Sequence, residues 1–125
     1  LPGKVCAVPV LTSFDQGTYA ATHGSFRSIK ASVQVLASAA LFAGCSYLVC
    51  SGQELEAVKD FKELKKIVPG IRPAWHMKAD DQKRTMTPKE AMDAGASYLV
   101  MGRPILEAAD PADAVKRTLE EVGCA

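Results

Sequence analysis

Two short segments combine glycine with arginine in a way that suits an anion: Pro69-Gly70-Ile71-Arg72 and Gly102-Arg103-Pro104-Ile105. Glycine lets a backbone come close to a ligand, and arginine offers a planar fork of donors matched to phosphate or carboxylate oxygens. A helix beginning just beyond such a loop adds its amide groups. On residue chemistry alone Gly102 and Arg103 read as a phosphate grip. The competing reading is a structural arginine paired with a nearby acid, Glu107 or Asp110.

Other clusters carry less. Asp60-Phe61-Lys62-Glu63 has the spacing of a solvated helix face, and Asp80-Asp81-Gln82-Lys83 falls in a polar loop, so both read as surface charge. Gln82 by itself reads as a solvated side chain. Trp75 and His76 read as surface or partner contacts, not as a stacking platform and a base. Cys6, Cys45, Cys50 and Cys124 show no C-x-x-C spacing, and three of them lie in or beside apolar runs. Buried free thiols are expected ahead of a disulfide or a metal site. No residue is assigned a catalytic or metal-binding role.

The elements that must position these loops follow from periodicity. Short apolar runs alternate with stretches of helical period, the signature of βα units and a parallel sheet. Strands are expected over residues 5–11, 47–50, 66–68 and 98–101. Helices are expected over residues 26–43, through Glu54, Ala57, Val58 and Phe61, from Thr87 to Gly95, and from Asp110 to about Val122. Thr87-Pro88-Lys89-Glu90 has an N-cap, a first-turn proline and an acid at the third position. Ala114, Leu119 and Val122 are spaced as a buried face of the last helix. Pro9 suits an edge strand. Ala43-Gly44-Cys45-Ser46-Tyr47-Leu48-Val49 is nearly repeated by Ala94-Gly95-Ala96-Ser97-Tyr98-Leu99-Val100, by duplication of a two-unit module or by shared physics.

Four βα units fit either half of an eight-stranded (β/α) barrel or a small open sheet, and no Gly-x-Gly-x-x-Gly follows the first strand. In a barrel the useful loops are those after the strands: Thr12-Ser13, Ser51-Gly52-Gln53, Pro69 to Arg72, and Gly102 to Ile105. The chain of 125 residues, 48% of them hydrophobic, is large enough for one domain with its own core, which excludes a disordered or fibrous class. Fifteen basic residues stand against 14 acidic ones, so no broad field draws the chain to nucleic acid or an anionic membrane. Any anion must be held locally. No apolar run reaches the roughly 20 residues of a membrane helix, and Leu1-Pro2-Gly3-Lys4 lacks the order of a signal peptide. A cytoplasmic, soluble chain is expected, without membrane or nucleic-acid partners. A strand-like run so near a start without Met points to a fragment, a processed product or a cloned piece.

Pro69-Gly70-Ile71-Arg72-Pro73, Asp80-Asp81-Gln82-Lys83-Arg84, Met86-Thr87-Pro88 and Gly102-Arg103-Pro104-Ile105 together resemble the orotidine 5'-monophosphate decarboxylase family. Val10-Leu11-Thr12-Ser13 and Val49-Cys50-Ser51-Gly52-Gln53-Glu54 match it too, so the resemblance runs in order along nearly the whole chain. It implies an α/β fold, a (β/α)4 half of a TIM-type barrel spanning residues 1–125 as one domain and matching the fifth to eighth strands. It implies that Gln82, Gly102 and Arg103 bind the 5'-phosphate of orotidine or uridine monophosphate. It further implies that Thr12 contacts the nucleotide, that Arg72 stands at the active-site rim, and that no cofactor is used. The loop from Arg72 to Gln82 would act as a lid, into which Trp75-His76-Met77-Lys78 introduces bulk where relatives have small or polar residues.

The decarboxylation implied by the resemblance leaves charge on carbon, which an Asp-x-Lys-x-x-Asp network must tolerate and protonate. That motif is absent from these 125 residues. The chain alone is therefore expected not to be catalytic. Open apolar edges are expected to require a partner, either a second copy or a complementing N-terminal half. The alternative to a phosphate-binding half is an assembly module that closes into a barrel and retains a remnant phosphate site. A related barrel acting on another phosphorylated sugar is a weaker third possibility.

Overall fold

The computed structural model describes residues 4–76 and 84–124. Four parallel strands, β1 (Cys6–Ala7), β2 (Tyr47–Val49), β3 (Lys65–Val68) and β4 (Tyr98–Leu99), form one sheet in the order β1-β2-β3-β4. The helices are α1 (Gln16–His23), α2 (Ile29–Phe42), α3 (Pro88–Asp93), α4 (Arg103–Leu106) and α5 (Pro111–Glu121). Sequential parallel neighbours joined by helical crossovers give the α/β half-barrel architecture expected from the alternating pattern.

Register divides the sheet into two faces. Ala7, Leu48 and Lys66 form one row, with Val68 and Leu99 beyond it. Leu48 and Val68 are fully buried there, packed with Val33, Leu55, Val58, Leu64 and Ala91. Lys66 is buried on this face as well, and burial lowers its pKa while its Nζ donates to the Phe61 carbonyl. The opposite face presents Cys6, Tyr47 and Lys65 in one row and Val49, Ile67 and Tyr98 in the next. It stays open: Val8 is 54% exposed, Tyr98 47% and Val100 49%. A parallel sheet normally buries both faces, so this surface lacks its cover within the described residues.

The internal echo is one structural device used twice. Ala43 and Ala94 cap α2 and α3 in nearly the same conformation, and Gly44 and Gly95 follow at φ 84° and 102°. Cys45 N–H donates to Ala40 O as Ala96 N–H donates to Ala91 O, while Gly44 and Gly95 donate to Leu41 O and Met92 O. These are the paired bonds of a left-handed glycine stop. Each then leads into a strand whose first residue is tyrosine, and the two rings lie 6.2 Å apart.

Several expectations needed correction. The first strand is two residues long, not seven; Pro9 cannot donate to a ladder, and the chain turns instead, with Phe14 N–H bonded to Leu11 O. The polar stretch after it holds α1, capped by Asp15, whose side chain accepts from Thr18 N–H at 2.8 Å. Helix α2 starts at Ile29 behind its cap Ser28, and Phe26 is fully exposed. The segment after β2 is not an α-helix but a run of tighter turns. Leu55, Val58, Phe61 and Leu64 recur every third residue, and their N–H groups bond to Gly52, Leu55, Val58 and Phe61 in turn. A period of three belongs to 3₁₀ geometry. Helix α3 carries the Thr87–Glu90 capping box, and α5 opens on Asp110-Pro111, both as expected. The buried positions of α5 are Ala114 and Thr118, however, and Leu119 is exposed. All four cysteines are free, yet only Cys50 is buried; Cys6 and Cys124 are exposed because β1 is open and α5 has ended.

Candidate functional site

Because the strands are parallel, the loops leaving their C-terminal ends share one edge of the sheet. Thr12 follows β1, Ser51 to Gln53 follow β2, Arg72 follows β3, and Gly102 and Arg103 follow β4. Gln82 lies outside the described residues. Thr12 is half-buried, and its carbonyl accepts from Arg84 Nε at 3.2 Å. Arg72 is buried; its Nη1 donates to the Ile71 carbonyl at 2.9 Å and its own N–H donates to Met86 O at 3.0 Å. Gly70, at φ 74°, supplies the left-handed turn that redirects the chain after β3. Gly102 is the exposed N-cap of α4, and a methyl group added there would meet nothing within 4 Å. Arg103 begins α4, half-buried, and is followed by the buried Pro104. Neither arginine stands free of other contacts.

Glu54 and Arg84 are site features that the residue pattern did not announce. Their ion pair is buried, with side-chain exposures of 4% and 8%. Arg84 Nη2 also donates to Leu11 O at 3.0 Å, and Glu54 Oε2 accepts from Ser51 N–H at 2.9 Å. Burial pushes the Glu54 carboxyl above its ordinary range, against the pull of Arg84 and the Ser51 amide. The available clue to half of this arrangement was the Ser-x-x-Glu spacing of Ser51-Gly52-Gln53-Glu54, which the structure shows to be a capping box. Arg84 follows the charged run Asp80-Asp81-Gln82-Lys83 and carries no local signal of its buried partner.

Trp75 and His76 are half-buried instead of standing out from the surface. Arg117 of α5 lies over the Trp75 ring at 4.5 Å, and His76 Nε2 is 4.0 Å from Glu107 Oε2. Trp75 Nε1 is buried without a hydrogen-bond partner among the described residues. The acids and lysine of Asp60-Phe61-Lys62-Glu63 are exposed, as their spacing suggested. A cleft of about 330 Å³ lies beside the ion pair, lined by Asp15, Gln16, Lys30, Gln53, Glu54 and Arg84 among others. It contains none of Thr12, Arg72, Gly102 or Arg103. Those residues share only the sheet edge at the C-terminal ends of the strands. No group of three potential metal ligands occurs among the described residues, and none of their helices is long and apolar enough to cross a membrane.

Residues 2–118 match the profile of the orotidine 5'-phosphate decarboxylase / HUMPS family. The chain belongs to that family. It is 48% identical over 124 residues to an orotidine 5'-phosphate decarboxylase of Paramagnetospirillum magneticum, covering 98% of this chain and 52% of that protein. It is 47% identical over 119 residues to one from Pseudomonas paraeruginosa, covering 93% and 50%. Among solved structures, the Lactobacillus acidophilus orotidine 5'-phosphate decarboxylase superposes with a TM-score of 0.76 at 30% identity, over 95% of this chain and 49% of that one. The chain thus spans about half the length of the family members it matches. A sheet of four parallel strands matched to half of each relative is half of a TIM-type barrel.

Proposed function

We propose that this chain is the phosphate-gripping half of an orotidine 5'-phosphate decarboxylase of pyrimidine biosynthesis, matching the fifth to eighth strands of the barrel and working in the cytoplasm. Arg103 and Gly102 hold the 5'-phosphate of orotidine or uridine monophosphate, joined by Gln82 from the family resemblance. Thr12 helps to place the nucleotide and Arg72 serves the rim. The observation that carries this reading is the convergence of the loops bearing Thr12, Arg72 and Gly102-Arg103 on one sheet edge in a chain of this family. The open approach to Gly102 supports it, because a backbone without Cβ at that point admits an oxygen-rich ligand closely.

Phosphate contacts remote from the reacting ring supply binding energy that orients it. The carbanion-tolerating Asp-x-Lys-x-x-Asp network is absent from this sequence, so catalysis requires a complementing half. Apolar side chains also stand exposed on the helices: Val35 and Phe42 on α2, and Val115 and Leu119 on α5. These suit the neighbouring helices of a closed barrel. They equally favour the second reading, an assembly module that closes into a barrel and keeps a remnant phosphate site. Titration with uridine 5'-monophosphate, followed by backbone amide shifts, tests the first reading. Saturable shifts at Gly102 and Thr12, absent for uridine and lost in Arg103→Ala, are expected. Equal responses to uridine and its monophosphate would refute the phosphate grip, and assembly unaffected by Arg103→Ala would then favour the module.

A further inference from the structure

One side chain fastens loops that lie far apart in sequence. Arg84 donates through Nε to Thr12 O, through Nη2 to Leu11 O and through Nη1 to Glu54, and Glu54 holds the Ser51 amide with its other oxygen. Two residues on, Met86 pairs with Ile71 as an isolated parallel bridge: Met86 N–H donates to Gly70 O at 3.3 Å and Arg72 N–H donates to Met86 O at 3.0 Å. The loops after β1, β2 and β3 are thereby tied to the short segment from Arg84 to Met86. Gly52 lies against Met86 so closely that an added Cβ would come within 2.7 Å of its sulfur, which extends the contact on the β2 side.

A buried ion pair is poor evidence for stability, because desolvation offsets much of its attraction and apolar groups of similar volume often serve as well. What the guanidinium adds is geometry, since its donors are held in one plane and point in fixed directions. Here those donors end on the carbonyl of Thr12, on its neighbour Leu11, and on the acid that organises Ser51.

We infer that Arg84 and Glu54 form a positioning pair for the nucleotide site, locking the loops after β1, β2 and β3 into a single platform so that Thr12 and Arg72 face the ligand in fixed relation. The inference rests on the proposed nucleotide reading for its functional half only. Its structural half, the concerted locking, can be read without any ligand.

The test compares the wild-type chain with Arg84→Lys, Glu54→Gln and the apolar double variant Glu54→Leu/Arg84→Met. Hydrogen exchange is followed at the amides of Phe14, Arg72 and Met86, none of which bonds to a replaced side chain. Concerted acceleration of all three by about tenfold or more, with Cys45 and Ala114 unchanged, is expected from local loosening of one unit. Independent responses, or acceleration at one loop only, would overturn the platform. Should the double variant fail to fold, Arg84→Lys keeps the charge but loses the fork and answers the same question.

In the ligand arm, Arg84→Lys should weaken uridine 5'-monophosphate binding by roughly tenfold to a hundredfold, the scale of a modest misplacement of contact groups. Unchanged affinity of the folded variant would reduce Arg84 to a fold staple. If the wild-type chain itself shows no binding, the phosphate reading fails, while the exchange result still decides the platform.

Discussion

Gly52→Ala should destabilise the chain through one identifiable collision. An ideal Cβ at position 52 would lie 2.7 Å from Met86 Sδ, 3.1 Å from its Cβ and 3.2 Å from its Cε. Sulfur and terminal methyl can retreat, because methionine is unbranched and adaptable. The Met86 Cβ cannot easily follow, since the backbone carrying it is bonded to both Gly70 and Arg72. Overpacking of a tight site costs about 1–3 kcal/mol, and the reduced freedom of the unfolded chain returns about 0.4–1 kcal/mol when alanine replaces glycine at a compatible conformation. The net expectation is about 1–2 kcal/mol of destabilisation, or a fall in Tm of roughly 4–8 °C for a domain of this size. Urea unfolding followed by circular dichroism measures it. Adding Met86→Gly removes that Cβ with the rest of the side chain, so the double variant should recover about 1 kcal/mol relative to the sum of the singles. Strict additivity, or a Gly52→Ala protein as stable as wild type, would refute the close packing of the β2 loop on the Arg84–Met86 segment.

Two further outcomes follow from local chemistry. Thr87 donates both its N–H and its hydroxyl to Glu90, which lowers the Glu90 pKa from its ordinary 4.5. A depressed carboxylate stabilises the fold fully above the unfolded value and loses that contribution as pH falls through the folded one, so Glu90→Gln should flatten the acid limb of the stability curve. Thr87→Ala should cost about 1 kcal/mol at neutral pH through loss of the cap. Cys50, whose thiol burial pushes up to about 12, should resist iodoacetamide at pH 8 until the chain unfolds, whereas the exposed Cys124 is alkylated readily. Alkylation of Cys50 in the native chain at the rate of Cys124 would contradict its burial.

Much of this architecture was legible because local signals agreed with the global fold. Thr87-Pro88-Lys89-Glu90 and Asp110-Pro111 fixed their helix starts through side-chain caps, and Gly44 and Gly95 fixed two helix ends through left-handed turns. Helix α1 was missed because its length of eight residues, with Gly17 and Thr18 in the first turn, gives little periodic signal; its Asp15 and Gly24 caps were the available clue. The segment after β2 was read as an α-helix because Glu54, Ala57, Val58 and Phe61 stand at i, i+3, i+4 and i+7, whereas the strict period of three that Leu55 and Leu64 make with Val58 and Phe61 was not weighed. The exposed Leu119 was read with Ala114 and Val122 as a buried face, since helical period shows that a face is apolar but not which partner covers it. At the candidate site, the glycine and arginine after β4 were picked out by residue type and spacing alone. The Arg84–Glu54 tie did not, because its partners lie 30 to 73 residues apart and two of them are backbone carbonyls.

The most direct test of a phosphate-gripping half is reconstitution. The chain would be mixed with the segment of the Paramagnetospirillum magneticum relative that lies outside the matched region, and decarboxylation of orotidine 5'-monophosphate would be measured. Activity in the mixture, absent from either piece alone and reduced roughly a hundredfold by Arg103→Ala as expected for loss of a charge-assisted contact, is the predicted result. A co-purifying, folded pair that leaves the nucleotide unchanged, or activity indifferent to Arg103→Ala, would contradict it.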